Sequence, residues 1–378
     1  MTRRHVLIIL FILATGYFLA WHLKPTSDLN FLVVDKTVPE TTYREHRAIF
    51  WIAEHRRFTA AGSRFLNYER DYLGYHPETD LKDILSDDHL EDIKLLYLAD
   101  SYGIYDYEEG LEVYEDKLPY ELQAINLIYG GFSYAESEVV SRFADRAGNI
   151  LIGEHNIIGY PTYLDPEASL LLQDLFGITY TGWLTRYYPD LDLAAFWIKE
   201  LYSRIYGQEW NLEGPGMVFV REENAYFGWN TDLIIAEQEH LEKPWPVLIN
   251  TDHKLLHKSN SGTPYLYWLE VLEVSEQAAV IAYYDLPVNE EGREALLARG
   301  LPEQFAAMVY FTPPDKADRI YFAGDFADQI PALLPANLTG SAAIQRFISY
   351  FPGLPVEYRF YFQWYEPVLH NILQMGSY

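Results

Sequence analysis

Three acidic residues occupy equivalent places in the chain. Asp35 closes FLVVD, Asp100 closes IKLLYLAD and Glu154 follows NILIG, so each stands at the end of a short apolar run. Neighbouring parallel strands lie roughly 5 Å apart, and ligands in such sheets bind beyond the carboxyl edge. Side-by-side strands would therefore bring the three carboxylates to one crevice. Carboxylate oxygens in such a set suit hard cations such as Ca²⁺ or Mg²⁺. Two of them, Asp100 with Glu154, would make the acid/base pair of a glycoside hydrolase. All three would also accept hydrogen bonds from ligand hydroxyls. The alternative is local: each carboxylate caps free amides of the turn behind it.

The residues around these three extend the expectation. Asn156 offers a further polar contact, and Tyr102 and Trp183 are the expected aromatic walls, because flat or sugar-like ligands stack on aromatic faces. The chain holds 32 Tyr and 9 Trp, although aromatic side chains serve first as packing residues. His155 beside Glu154 invites a metal reading, but neighbours on a strand face opposite sides and no second histidine stands nearby at ligand spacing. No metal and no cofactor are therefore expected. Arg186 in LTRYY and Asp325 in YFAGDFAD read as salt-bridge partners. No Gly-x-Ser-x-Gly, Walker-type or dinucleotide-type glycine pattern occurs.

The elements that must position these residues alternate in type. Strands are expected at 31–35, 93–99, 125–131 and 149–153, the third running into Gly130-Gly131, whose freedom in φ permits close backbone approach. Thr42 to Glu45 and Ser133 to Glu136 each have the spacing of a capping box. Asp165-Pro166 has a cap followed by a first-turn proline, and Gly177 closes that helix. Beyond Trp229 the runs DLIIAE, WPVLIN, YLYWLEVLEV and AAVIAYYDL predict antiparallel strands. A helix at Glu290 to Arg299 and a closing amphipathic helix over 360–375 complete the pattern. The fold expected is an α/β, parallel-sheet domain over 31–222 followed by a β-rich α+β region over 230–378 packed on it, with the texture changing near 222–230.

A net charge of −27 over 378 residues repels nucleic acid and favours cations, basic partners or neutral ligands. Zero cysteines removes disulfides, thiolate nucleophiles and Cys-zinc sites. The N-terminus reads MTRRH and then Val6 to Trp21 without a charge, which predicts an export signal over 1–25, either an anchor or a cleaved signal peptide. Those residues as a helix rise roughly 24 Å, against a hydrocarbon core of about 30 Å. Arg3 and Arg4 held inside would leave the body outside the cytoplasm, with a single membrane pass.

The order of a strand ending in Asp, then IYGG with a serine-capped helix, then AGNILIGEHN and a turn resembles the class I glutamine amidotransferase-like fold, including its exported relatives attached to β-galactosidases. The chain also looks like uncharacterised membrane-anchored bacterial proteins that share LYLADSYG and Glu-x-Asn elements. The resemblance spans about Phe31 to Val220 and implies a flavodoxin-like α/β domain. It places the family's nucleophilic Cys near Glu154 or His155, where this chain has none. The function it implies is non-catalytic: a cell-surface ligand-binding protein, with a glycan as the expected ligand, or a scaffold for an envelope protein. The competing expectation is an extracellular carbohydrate-active hydrolase using Asp100 and Glu154.

Overall fold

The computed structural model describes residues 3–60, 64–105, 127–328, 334–351 and 353–377. Twelve strands carry the architecture. They are β1 (Phe31–Asp35), β2 (Tyr72–His76), β3 (Leu95–Asp100), β4 (Ile150–Gly153), β5 (Ile178–Tyr188), β6 (Gly216–Arg221), β7 (Asp232–Ala236), β8 (Val247–Asn250), β9 (Leu269–Val274), β10 (Ala279–Asp285), β11 (Phe305–Phe311) and β12 (Asp318–Phe322). β3 is buried at every position, as an uninterrupted apolar run in a covered parallel sheet must be.

The larger sheet has ten strands. Its parallel part runs β2-β1-β3-β4-β12. From β12 outward, β11, β10 and β8 continue antiparallel. Counted along the chain, the five parallel strands stand in the order 2-1-3-4-5, which reverses direction at β1 and opens a crevice between β1 and β3. The smaller sheet is antiparallel, in the order β7-β6-β5-β9. The protein is thus mixed α/β with partly parallel sheets. Strands from both sides of the 222–230 change of texture join in each sheet, β12 beside β4 and β9 beside β5.

The helices follow their signals unevenly. At α3 (Tyr134–Ala144), Ser133 and Glu136 form the expected capping box. At α4 (Pro166–Phe176), Asp165 caps the Ala168 amide and Gly177 closes the helix in the left-handed conformation. At Arg44–His55 the box is not made: Tyr43 stands at the helix start with φ 51° and no side chain caps it. The helix over Glu290–Ala298 forms as expected, and the closing segment forms with a π turn at Tyr361–Tyr365 ahead of Glu366–Gly376.

Two expectations are corrected. The third apolar run does not enter the parallel sheet. Its strand, Leu127–Tyr129, pairs antiparallel with Ile104–Tyr105, while 125–126 and the acidic stretch 106–117 lie outside the described residues. The N-terminal segment is a helix over Arg3–His22, but among the described residues no helix is long and apolar enough to cross a membrane. Its last turn rests on the body instead: Trp21 is 2% exposed, the Arg57 guanidinium lies 4.4 Å from its ring centre, and its indole N–H donates to the His55 carbonyl at 3.2 Å.

Candidate functional site

The carboxyl edge of the parallel strands opens into a cavity of about 870 Å³. One wall is the edge itself, with Asp100 after β3, Asn156 after β4, and Asp325 and Asp328 after β12. The facing wall comes from the smaller sheet and the helix Phe196–Tyr206, through Leu184, Trp197, Val220, Glu222 and Trp268. The cavity is therefore a cleft between two sheets, at the place where strand order reverses.

Three of the expected residues meet there. Asp100 is 8% exposed and accepts a hydrogen bond from the Tyr102 amide at 2.7 Å. Burial pushes its carboxyl up to about 7, and the nearby Asp35 and Asp328 charges push the same way. Asn156 adopts φ 71°, which turns the chain sharply after β4. Its amide donates to Glu270 Oε1 at 3.1 Å and its carbonyl accepts from Ser101 Oγ at 2.8 Å. Tyr102 lies against Tyr105 with ring centres 5.1 Å apart, both on the wall.

The other three have partners of their own and do not line the cavity. Asp35 Oδ1 accepts from the Thr37 amide at 2.9 Å, and Oδ2 lies 2.5 Å from His46 Nδ1, with both side chains fully buried. Glu154 is 1% exposed; Oε2 accepts from the Tyr97 hydroxyl at 2.5 Å, and Oε1 accepts from the Phe326 and Ala327 amides. Glu154 thereby ties β4 to the loop after β12, with both oxygens engaged. Trp183 precedes Leu184 on β5, and strand neighbours face opposite sides, so Leu184 reaches the cleft and Trp183 turns away beneath the Arg221 guanidinium at 5.8 Å. Asp100 lines the cavity and Glu154 does not, so the expected pair is not brought together in its lining.

What replaces it was partly hidden by other motifs. Glu45 has capping-box spacing, yet its carboxylate turns into the cleft beside Asp325 and Asp328. One oxygen from each of these three lies within 4.8 Å of the others. Arg44 joins them, with Nη2 donating to Glu45 at 2.9 Å and Nε 2.8 Å from Asp328 Oδ1. Burial and the facing carboxylates push Glu45 and Asp325 upward, and burial does the same to Asp328 against the pull of Arg44. Oxygen donors of this kind suit Ca²⁺ or Mg²⁺, but the Arg44 cation already sits among them. Across the cleft, burial raises Glu222 to about 7 while the Tyr180 hydroxyl donates to it at 2.9 Å. Trp197 and Trp268 stack with ring centres 5.9 Å apart and supply the aromatic wall expected of Trp183. His155 also lines the cleft and is 5% exposed, and its Nδ1 has no hydrogen-bond partner; burial depresses it to about 3, so the ring is neutral.

Arg186 lies under the rings of Tyr188 and Trp268, at 5.3 and 5.9 Å, and outside the cleft lining. Asp325, read as a salt-bridge partner, stands within the acidic group of the cleft. The strand-end rule that singled out Asp35, Asp100 and Glu154 applies equally to the loop after β12, where Asp325 and Asp328 stand. Glu222, Trp197 and Trp268 carried no local signal, because their place depends on the second sheet folding over the first. No protein-family model and no curated protein matches this chain.

Proposed function

We propose that this protein binds a glycan-type ligand in the cleft at the carboxyl edge of its parallel strands and does not turn it over. One observation carries the reading: a cavity of about 870 Å³ sets the Trp197–Trp268 stack and the Tyr102–Tyr105 pair against Asp100 and Asn156. Aromatic faces take the apolar face of a sugar ring, and flanking carboxylates and amides take its hydroxyls. The strand order 2-1-3-4-5 supports a flavodoxin-like, amidotransferase-like origin for the parallel half. The lack of any cysteine supports a binding use of that half. The export-type N-terminus supports a place outside the cytoplasm, near envelope proteins.

Isothermal titration against a panel of bacterial and plant oligosaccharides tests this. At least one should bind, and Trp268→Ala should weaken it by about tenfold, since a buried aromatic anchor is worth upwards of 1 kcal/mol. A panel without a single binder, run on folded protein, rejects the reading.

A second reading rests on Asp100 and Glu222. Both carboxyls are raised to about 7 in one cleft, which is how a general acid stays protonated at neutral pH. If any oligosaccharide of the panel is cleaved, and Asp100→Asn and Glu222→Gln each abolish cleavage while keeping the fold, hydrolysis replaces binding as the function.

A further inference from the structure

The cleft is unusual in its balance of charge. Seven carboxyl-bearing residues line it against two arginines, Arg44 and Arg221, while seven tyrosine and tryptophan side chains share the lining. The neutral ring of His155 also lines it, with Nδ1 making no hydrogen bond and lying 3.8 Å from Glu270 Oε1. Beside a neutral sugar most of these carboxyls could ionise only at the cost of mutual repulsion across a low-dielectric space. A cation relieves that repulsion and gains from the aromatic faces as well.

We infer that the ligand is an amine-bearing saccharide, a hexosamine unit with a free amino group, whose ring stacks at Trp197 and Trp268 and whose ammonium lies among Glu45, Asp325 and Asp328. This rests on the glycan reading and narrows it. The three carboxylates present oxygens within 4.8 Å of one another, a span that N–H···O bonds of about 2.8 Å from a single ammonium reach. An ammonium also tolerates Arg44 better than a divalent ion does, since it brings half the charge and donates along separate directions. The net charge of −27 draws cationic ligands toward the surface from a distance.

Calorimetry on the full chain with matched probes tests the inference: glucosamine oligosaccharides, N-acetylglucosamine oligosaccharides of equal length, spermidine as an amine without a ring, and Ca²⁺ or Mg²⁺ alone. The amine-bearing oligosaccharide should bind at least about tenfold more tightly than its acetylated counterpart, as expected for one desolvated charge pair. Asp325→Asn should abolish most of that preference, and Glu45→Gln serves in its place should the first variant not fold. Equal or tighter binding of the acetylated oligosaccharide overturns the inference and leaves the glycan reading standing. Spermidine binding as tightly as the amino sugar overturns both the ring contact and the glycan reading. A divalent ion that binds more tightly than any amine assigns the carboxylates to a metal. Failure of every probe, acetylated sugars included, removes the inference together with the reading beneath it.

Discussion

At the scale of single residues, a carboxylate's position in the chain predicted where it stands better than what it does. Asp35, Asp100 and Glu154 all stand at strand ends, but only Asp100 faces the cleft. Other partners captured the remaining two: the Thr37 amide lies two residues beyond Asp35, and the loop after β12 brings two amides onto Glu154. The local cap by Thr37 was open to a reading of the chain; His46 and the 326–327 amides were not, because they reach these residues through tertiary packing. Burial raises Glu154 well above the usual carboxylate range. Glutamine should therefore substitute closely: its carbonyl accepts the two amides, its NH₂ donates to Tyr97, and the Tyr97 hydroxyl turns to Tyr365, 2.9 Å away. Urea unfolding should show Glu154→Gln within about 1 kcal/mol of wild type and Glu154→Ala destabilised by about 3 kcal/mol, the cost of orphaned buried donors plus a cavity. Equal losses in both variants would mean that the wild-type carboxylate is ionised.

At the scale of elements, capping chemistry and apolar runs predicted most helices and strands, and they failed where a side chain had a better partner. The box at Ser133 forms, and its Glu136 also receives the buried Lys36 ammonium, whose Nζ donates to both carboxylate oxygens at 2.8 and 2.9 Å and to the Gly131 carbonyl at 2.7 Å. That contact pins the end of β1 to the start of α3, next to the cleft. Lys36→Met keeps the apolar stem and strands Glu136, so it should cost about 3 kcal/mol in equilibrium unfolding; Lys36→Met with Glu136→Gln should recover part of the loss. The box at Thr42 does not form, because Glu45 turns into the cleft instead. The glycine pair was legible as a place of close approach, but its partner was not. Gly130 has φ 154°, and a Cβ there would lie 2.7 Å from Gly103 Cα and 3.0 Å from the Tyr102 carbonyl oxygen. Gly130→Ala should push the 103–105 segment off the wall, lowering stability by about 2 kcal/mol and weakening whichever ligand the cleft takes. Unchanged affinity in that variant would show that Tyr102 and Tyr105 are not part of the binding wall.

At the scale of the whole molecule, the second sheet could not be read from the chain, since β5 and β9 pair across some ninety residues and close the cleft only once both halves are in place. That closure buries ionisable groups of both kinds, and their opposing shifts set how stability responds to pH. Burial raises Asp100 and Glu222 to about 7 and Glu270 to about 8, so the folded protein keeps protons that the unfolded chain releases near pH 4. Their contribution is complete below pH 4 and is lost as pH rises through 7 to 8. Burial lowers His55 to about 4 and His155 and His370 to about 3, so their contribution is complete above pH 6.5 and is lost as pH falls below it. Between pH 8 and 6.5 the carboxyls outweigh the histidines, and stability should rise by at least about 2 kcal/mol on acidification. Below 6.5 the three histidines oppose Asp100, Glu222 and Glu270, while Glu45, Asp325 and Glu154, also raised by burial, keep adding stability, so the curve should rise more gently to about pH 5. Scanning calorimetry at pH 8, 6.5 and 5 should accordingly show the melting temperature climb by a few degrees over the first interval and more slowly over the second. A melting temperature that increases steadily from pH 5 to 8 would mean that the carboxyls of the cleft are charged in the folded protein. In that case Asp100→Asn, which removes one such charge, should stabilise the protein at pH 8 by more than at pH 5.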